Sequence, residues 1–300
     1  MSQEVLRAAV EQSPSARRGF RMWIRRFRRD KRASFGAVIL LIFIICAVFG
    51  PFITPYEPMI QTDELLVSPN LQHVLGTDNL GRDVLSRLII GARTSMIVGI
   101  IGLGLAALVG IPLGVLSGYY GGWIDMVVGR YIDIQWAFPN FIIAVMMVGI
   151  FGLGLQNVII AIFLAYIDDF ARVVRGMVMT IKQQDYVTAA RATGASDLRL
   201  ILVHIFPNAM PPVIVLASVF FSSAILIEAG LTFLGLGVRP DTPTWGLILN
   251  DARPFFQTAW WLAIYPGLVI MLVVLSVNFV GDAIRDIHDV HEYGAGATGA

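Results

Sequence analysis

Long stretches without a charged residue constrain this chain more than any other feature of its sequence. A helix needs about 20 apolar residues to cross the hydrocarbon core of a bilayer, and the short alternating segments typical of membrane barrels are absent from the sequence. The sequence therefore predicts an all-α polytopic membrane protein with six transmembrane helices. The six apolar segments are Phe35–Ile53, Thr94–Gly118, Ile134–Phe151, Leu155–Ile167, Ala209–Ile227 and Ala259–Val280.

The distribution of charge predicts the orientation of the chain in the membrane. Hydrophobic residues make up 56% of the sequence and charged residues only 14%, against about 25% charged residues in soluble domains. Residues 1–33 nevertheless hold ten of the 22 lysines and arginines. The positive-inside rule places this segment in the cytoplasm, and six spans return the C-terminus to the same side. A nucleic-acid-binding tail is the alternative for this segment, but the net charge of +1 gives the whole chain no basic field.

These observations divide the chain into segments with different expected roles. In the external loop, the apolar spacing of Asp83–Ile90 predicts a short amphipathic helix lying at the membrane interface. The expected segments are a basic cytoplasmic segment 1–33, a first transmembrane helix with its external loop 34–93, a five-helix core 94–282 that contains a cytoplasmic loop 183–208, and a cytoplasmic tail 283–300.

Three glycines of the second apolar segment predict a tightly packed helix face. Gly110, Gly114 and Gly118 recur at every fourth position, which puts them on one stripe of a helix. Small residues at this spacing let a second helix approach closely. The partner of this stripe is either another helix of the same chain or a helix of another subunit.

A few polar residues inside the apolar segments are candidates for a transport pathway. Trp136 and Asn140 flank a proline in the third segment, and Glu228 is an acid in an otherwise apolar stretch. Such residues usually face protein or a water-filled cavity. Glu228 has an alternative role, which is to pair with Arg239 or Arg253 at the membrane interface.

Charged residues follow directly after the fourth apolar segment. The apolar spacing continues through Asp168, Asp169, Arg172 and Arg175, which predicts a helix that leaves the bilayer and extends into the cytoplasm. Asp168 and Arg172 are four positions apart and are expected to form an ion pair at the membrane edge.

The loop Gln183–Asn208 predicts two short helices on the cytoplasmic side. Asp185 is a suitable N-cap for a first helix that contains Ala189, Ala190 and Arg191. Gly194 is expected to end it in the left-handed conformation.

The second helix of this loop is expected to begin with Ser196 as its cap and to end at Pro207. Its apolar residues recur at helical spacing and predict one apolar stripe, for which docking on a partner and packing under the chain's own helices are alternatives. The residues of this stripe are Leu198, Ile201, Leu202 and Ile205.

The loop resembles the "EAA" loop of permease subunits of ATP-binding-cassette (ABC) importers. Ala189, Ala190, Gly194 and Pro207 occupy matching positions, whereas Thr188 stands where many members have glutamate. Further segments resemble the dipeptide, oligopeptide and nickel branch of these permeases, and in particular its second permease subunit. These segments are Gly76–Arg87, Phe170–Gly176 and Phe233–Gly237.

The resemblance implies the type I ABC importer permease fold and a set of partners. These would be a homologous second permease, two ATPases that are separate or fused, and an external substrate-binding protein. The cargo would be a peptide, with nickel or another small solute as the alternative. The implied location is the cytoplasmic membrane of a bacterium or archaeon, in contact with lipid.

No catalytic role is expected for this chain. It lacks a phosphate-binding P-loop motif, so ATP and Mg²⁺ are expected on the partner ATPases, and the chain is expected to bind no cofactor. His288 and His291 lack further residues with ligand spacing, so no metal site is expected. A stand-alone secondary transporter would require inverted repeats, and an intramembrane enzyme would require a better dyad than the adjacent Asp168 and Asp169.

Overall fold

The described part of the chain is built from helices. The computed structural model describes residues 30–296, with side chains as far as Asp286, and these residues form no β-strand. Most of the predicted basic segment 1–33 and part of the tail 283–300 therefore lie outside the described residues. The helices are α1 (Lys31–Ile53), α2 (Val84–Tyr120), α3 (Gly122–Trp136), α4 (Asn140–Phe151), α5 (Leu155–Ile181), α6 (Asp185–Ala192), α7 (Asp197–Arg199), α8 (Phe206–Phe233), α9 (Trp245–Ala252) and α10 (Trp261–Gly296).

Helix α1 lies on the outside of the bundle. It begins after Asp30, whose carboxylate accepts a hydrogen bond of 2.8 Å from the backbone of Arg32, and it packs against α10 and α2. Most of its large apolar side chains are exposed within the chain. An exposed apolar helix of this length is suited to face lipid.

The pair α2 and α5 forms the centre of the bundle, and the glycine stripe joins the two helices. A methyl group on Gly110 would lie 2.5 Å from the carbonyl oxygen of Ile167, and one on Gly114 would lie 2.5 Å from that of Ala171. The corresponding distance from Gly118 to the oxygen of Arg175 is 2.7 Å. Only glycine permits this approach, so the stripe packs against a helix of the same chain.

Four helices of the described residues are long and apolar enough to span a membrane. They are α1, α2, the continuous helical stretch Asp197–Phe233, and α10. The pair α3 and α4 passes the same test together but is bent by 90°, so it adds a fifth span if it is one broken helix. The fourth predicted segment, Leu155–Ile167, is the first half of α5, and the charges of the second half keep this helix out of the count. The structure thus gives four or five spans by length and composition, where six were predicted.

The prediction of a separate interfacial helix over Asp83–Ile90 is wrong. Asp83 is the N-cap of α2, and its carboxylate accepts a hydrogen bond of 2.8 Å from the backbone of Ser86. The helix then continues without a break to Tyr120. Ser86 and Arg87 are buried, because the preceding loop folds over them and supplies polar partners that the helical spacing alone does not reveal.

Candidate functional site

The corner at Gly194 has the conformation that its sequence predicts. Gly194 has a φ of +88°, which glycine adopts without a steric penalty. Its N–H donates to the carbonyl of Arg191, and the N–H of Ala195 donates to that of Ala190 at 3.1 Å. This pair of bonds is a Schellman motif, and it fixes the angle between α6 and the segment that follows.

The two predicted N-caps of the loop are only partly correct. Gln184, not Asp185, is the N-cap of α6, so Asp185 is the first residue inside the helix. An acidic side chain in a first turn still interacts favourably with the helix dipole. Ser196 is the N-cap of α7, but its side chain makes no capping hydrogen bond. Thr188, at the position where related loops often carry glutamate, is exposed on α6.

Pro207 does not end the second helix of the loop. After α7 the chain forms a π-helical segment, Leu200–Ile205, and continues directly into α8. Pro207 is the second residue of α8 and follows directly after the π-helical segment. The loop therefore connects to α8 as one helical path, with no irregular residue between α7 and α8.

The predicted apolar stripe is divided between two environments. Ile201 and Ile205 are buried in the chain's own core together with Leu200, so the packing alternative applies to these two residues. Val187 of α6 is also fully buried and anchors the first helix of the loop. The sequence analysis missed Val187 because a single valine in a short polar helix gives no periodic signal.

An exposed apolar surface remains on the loop. We call Tyr186, Leu198, Leu202 and Val203 the loop patch; each is exposed, with 55% of Leu202 accessible to solvent. Partial burial raises the pKa of the Tyr186 phenol above its ordinary value, so this hydroxyl is neutral at physiological pH. The loop patch thus offers uncharged surface on a loop whose other exposed residues are mostly polar.

Polar side chains join the loop to the end of α2, and the end of α5 to α2. The hydroxyl of Tyr119 donates to Asp197 Oδ1 at 2.5 Å, and Arg191 Nη2 donates to the same hydroxyl at 3.3 Å. Lys182 Nζ donates to the carbonyl of Gly118 at 2.7 Å. The sequence analysis missed these contacts because they join residues up to 78 positions apart.

A second polar group surrounds the break between α3 and α4. Asn140 Nδ2 donates to Asp169 Oδ2 at 2.7 Å, and the guanidinium carbon of Arg172 lies 3.5 Å from the ring centroid of Trp136. Trp136 and Arg172 are exposed. We call these four residues the bend cluster. It includes two residues predicted for the pathway, Trp136 and Asn140.

The predicted ion pair between Asp168 and Arg172 is wrong. Arg172 stacks on Trp136 instead, whereas Asp168 is 1% exposed and its carboxylate has no hydrogen-bond partner within the described residues. Gly110 of α2 packs on Ile167 of α5, and Gly114 packs on Ala171. Asp168 and Arg172 of α5 therefore lie beside the uncharged stretch of α2. Charges at that depth are expected to face protein or water.

Glu228, a predicted candidate for the pathway, is buried within the chain in this structure. It is 0% exposed and lies between α8 and α2, where Ser95 Oγ donates to it at 2.9 Å and Thr232 Oγ1 at 3.1 Å. The predicted pairing of Glu228 with Arg239 or Arg253 is also wrong, because the hydroxyls of Ser95 and Thr232 satisfy this carboxylate.

A buried ionic cluster lies at the end of the bundle opposite the loop. Asp78 Oδ2 accepts hydrogen bonds from Arg87 Nη1 and, at 2.7 Å, from Arg82 Nε. Asp251 of α9 accepts from both arginines at 2.9 Å. The spacing of Asp78 and Arg82 could have suggested one pair, but no local pattern joins them to Asp251. The cluster fastens the loop before α2 to α9.

No group of metal ligands was found among the described residues. The side chains of His288 and His291 lie outside the described part of the chain. The described residues form a helical bundle with an exposed loop at one end, a polar break between α3 and α4, and a buried ionic cluster at the other end.

Comparisons with known proteins agree on one family. Residues 110–290 match the family described as the binding-protein-dependent transport system inner membrane component, and residues 20–72 match the N-terminal TM domain of oligopeptide transport permease C. The structure is similar to the inward-facing MetNI methionine ABC transporter, with a TM-score of 0.57 at 20% identity, covering 67% of this chain and 96% of that chain.

Two curated relatives are similar over most of their length. The di/tripeptide transport system permease protein DppC of Pseudomonas aeruginosa (strain UCBPP-PA14) is 43% identical over 270 residues, which are 88% of this chain and 89% of that protein. The glutathione transport system permease protein GsiD of Escherichia coli O6:K15:H31 (strain 536 / UPEC) is 41% identical over 267 residues, 88% of each.

These matches confirm the resemblance drawn from the loop and the three further segments. The fold is that of an ABC importer permease, and the family consists of non-catalytic permease subunits whose ATPase is a separate chain. The chain belongs to the family of binding-protein-dependent transport system inner membrane components, as a permease subunit of the peptide ABC importer type.

Proposed function

We propose that this chain forms half of a translocation pathway for di- and tripeptides and couples that pathway to partner ATPases through the loop 183–208. The cargo follows from the relatives, since DppC is named for di- and tripeptides and GsiD for the tripeptide glutathione. These names favour a peptide over nickel or another small solute.

The observation that carries the coupling role is the loop patch. A group of apolar side chains exposed together on a solvent-facing loop usually marks an interaction site. Leu198, Leu202 and Val203 project from a segment that runs directly into α8. A partner that holds this patch would move α8 with it. The partner ATPases carry the ATP and Mg²⁺ and supply the movement.

The complete importer contains this chain, a homologous second permease, two ATPase subunits or one fused pair, and an external substrate-binding protein. The loop end of the bundle and both termini face the cytoplasm of a bacterium or archaeon. The buried ionic cluster at the opposite end then faces the binding protein. The exposed apolar side of α1 contacts membrane lipid.

The bend cluster is the part of this chain proposed to border the pathway. Arg172 and Trp136 are exposed beside the uncharged stretch of α2, where a charge facing lipid would be costly. Asn140 and Asp169 complete this surface, which then has hydrogen-bond donors and acceptors, a positive charge on Arg172 and a negative charge on Asp169. A peptide carries an ammonium group and a carboxylate, so such a surface suits its passage.

The coupling role is tested by Leu202→Glu in an affinity-tagged chain. This substitution places a charge in the loop patch, and we expect ATPase co-purification to fall about tenfold, the factor that corresponds to 1.4 kcal/mol of binding free energy. Leu71→Glu is the matched control, because Leu71 is a fully exposed leucine at the opposite end of the bundle.

The comparison requires that both variants reach the membrane in normal amounts. Co-purification that is equal for Leu202→Glu and for the unmodified chain would refute docking through the loop patch. The peptide cargo is measured separately, as uptake of alanyl-alanine and glutathione by proteoliposomes that contain the complex. Import of a nickel salt without import of either peptide would refute the peptide assignment.

A further inference from the structure

The hydroxyl of Tyr119 is shared by both helices of the loop. It donates to Asp197, the first residue of α7, at 2.5 Å, and it accepts from Arg191, in the last turn of α6, at 3.3 Å. The guanidinium carbon of Arg191 also lies 5.8 Å from the centroid of the Tyr119 ring. Tyr119 belongs to neither loop helix, since it is in the last turn of α2.

The other polar contacts near Tyr119 do not involve the two loop helices; they join α2, α3 and α5 to one another. Lys182 Nζ donates to the Gly118 carbonyl and so joins the end of α5 to α2. Asp125 of α3 accepts from Ser117 Oγ at 2.5 Å and pairs with Arg175 of α5. Within the described residues, the side-chain hydrogen bonds between α2 and the two loop helices are those of the Tyr119 hydroxyl.

Helix α2 extends from this contact to the opposite end of the bundle. It contains 37 residues and continues through Pro112, which removes one backbone hydrogen bond but does not end the helix. At about 1.5 Å per residue a helix of this length is roughly 55 Å long. Arg87, in its first turn, is held by the ionic cluster with Asp78 and Asp251. A displacement of the Tyr119 end is therefore transmitted along one continuous helix to the ionic cluster.

We propose that Tyr119 is a positioning residue through which movement of α6 and α7 is passed to α2 and along it to the ionic cluster. The assignment rests on the proposed coupling role of the loop and adds to it a specific route to α2, which is not adjacent to the loop in the sequence as α5 and α8 are. Asp197 and Arg191 act on α2 through the Tyr119 hydroxyl.

Tyr119→Phe tests this route in the purified complex reconstituted into proteoliposomes. The substitution removes the hydroxyl and keeps the ring, so the packing of the mostly buried side chain is retained. We expect ATPase co-purification to stay within about twofold, while the alanyl-alanine imported per ATP hydrolysed falls about fivefold, the lower range of measured coupling between sites.

Substitutions of Asp197 separate the hydrogen bond from a general structural effect. Asp197→Asn retains an acceptor for the Tyr119 hydroxyl and should keep most of the transport per ATP. Asp197→Ala removes the bond to α7 but keeps the one from Arg191, so its loss should not exceed that of Tyr119→Phe. The double variant should be no worse than Tyr119→Phe alone, because Tyr119→Phe already lacks the bond to Asp197. Losses that multiply in the double variant would contradict a shared route.

A second measurement needs no cargo. A fluorescent probe on Leu80→Cys, in a Cys46→Ser background, reports on the turn between Asp78 and Arg82. We expect ATP to change its signal in the otherwise unmodified complex and to change it several-fold less in Tyr119→Phe. An equal response, or a lower thermal stability of Tyr119→Phe with unchanged transport per ATP, would overturn the proposal.

These outcomes differ from a failure of the proposed function. If the loop does not dock the ATPases, Leu202→Glu leaves co-purification unchanged. If only the Tyr119 route is wrong, Leu202→Glu still lowers co-purification about tenfold, and Tyr119→Phe transports and responds like the unmodified complex.

Discussion

Arg87 and Asp251 form an ion pair of 2.9 Å although 164 positions separate them in the sequence. Arg87 is 0% exposed and Asp251 lies at the edge of the cluster. Asp78 and Arg82 complete the arrangement, so two positive and two negative charges are held together at one end of the bundle. Such a cluster fixes the position of the loop before α2 relative to α9.

Arg87→Ala is expected to destabilise the folded chain strongly. Removing one partner of a buried ion pair leaves an uncompensated charge and typically costs about 3–5 kcal/mol. The measurement is the thermal unfolding midpoint of the purified chain in detergent. Arg130→Ala is the control, because Arg130 pairs with Asp133 at 3.9 Å and both side chains are exposed. The control should change stability by about 0.5 kcal/mol or less.

Gly114→Ala is expected to disturb the contact between α2 and α5. The added methyl group would lie 2.5 Å from the oxygen of Ala171 and 2.8 Å from Cβ of Val174, and overpacking of this kind costs about 1–3 kcal/mol. Gly104→Ala is the matched control in the same helix, since a methyl group there meets nothing within 4 Å. A smaller loss of stability for Gly114→Ala than for Gly104→Ala would contradict the assigned packing.

The features that the sequence predicts well depend on local geometry. Gly194 must take a positive φ to end α6, and that requirement is visible in the sequence itself. The glycine stripe likewise follows from helical spacing. Its partner does not, because the spacing is equally compatible with α5 and with another subunit.

The features that the sequence misassigns depend on tertiary contacts. Helical spacing predicts a single apolar stripe on the second loop helix. In the structure Ile201 and Ile205 are buried in the core of the bundle, whereas Leu198 and Leu202 are exposed. Arg172 has an acid four positions before it, yet it stacks on Trp136 from another helix. Glu228 is satisfied by two hydroxyls, which no charge pattern indicates.

The bend cluster makes the prediction that bears most directly on transport. In a Cys46→Ser background, Arg172→Cys in the assembled importer is expected to react with a negatively charged, membrane-impermeant thiosulfonate, because the proposed pathway would expose position 172 to water in at least one state of the cycle. Its reaction rate should change during ATP turnover, since alternation between inward- and outward-facing states exposes the pathway to each side in turn.

Leu108→Cys provides the comparison for this reaction. Leu108 is 70% exposed on α2, within the same uncharged stretch, and it lacks polar neighbours of the kind that surround Arg172. If position 108 faces lipid, its thiol stays largely protonated and reacts slowly with a charged reagent. A rate at position 172 as low as that at position 108, both with and without ATP, would mean that Arg172 is covered by the second permease and does not border the pathway.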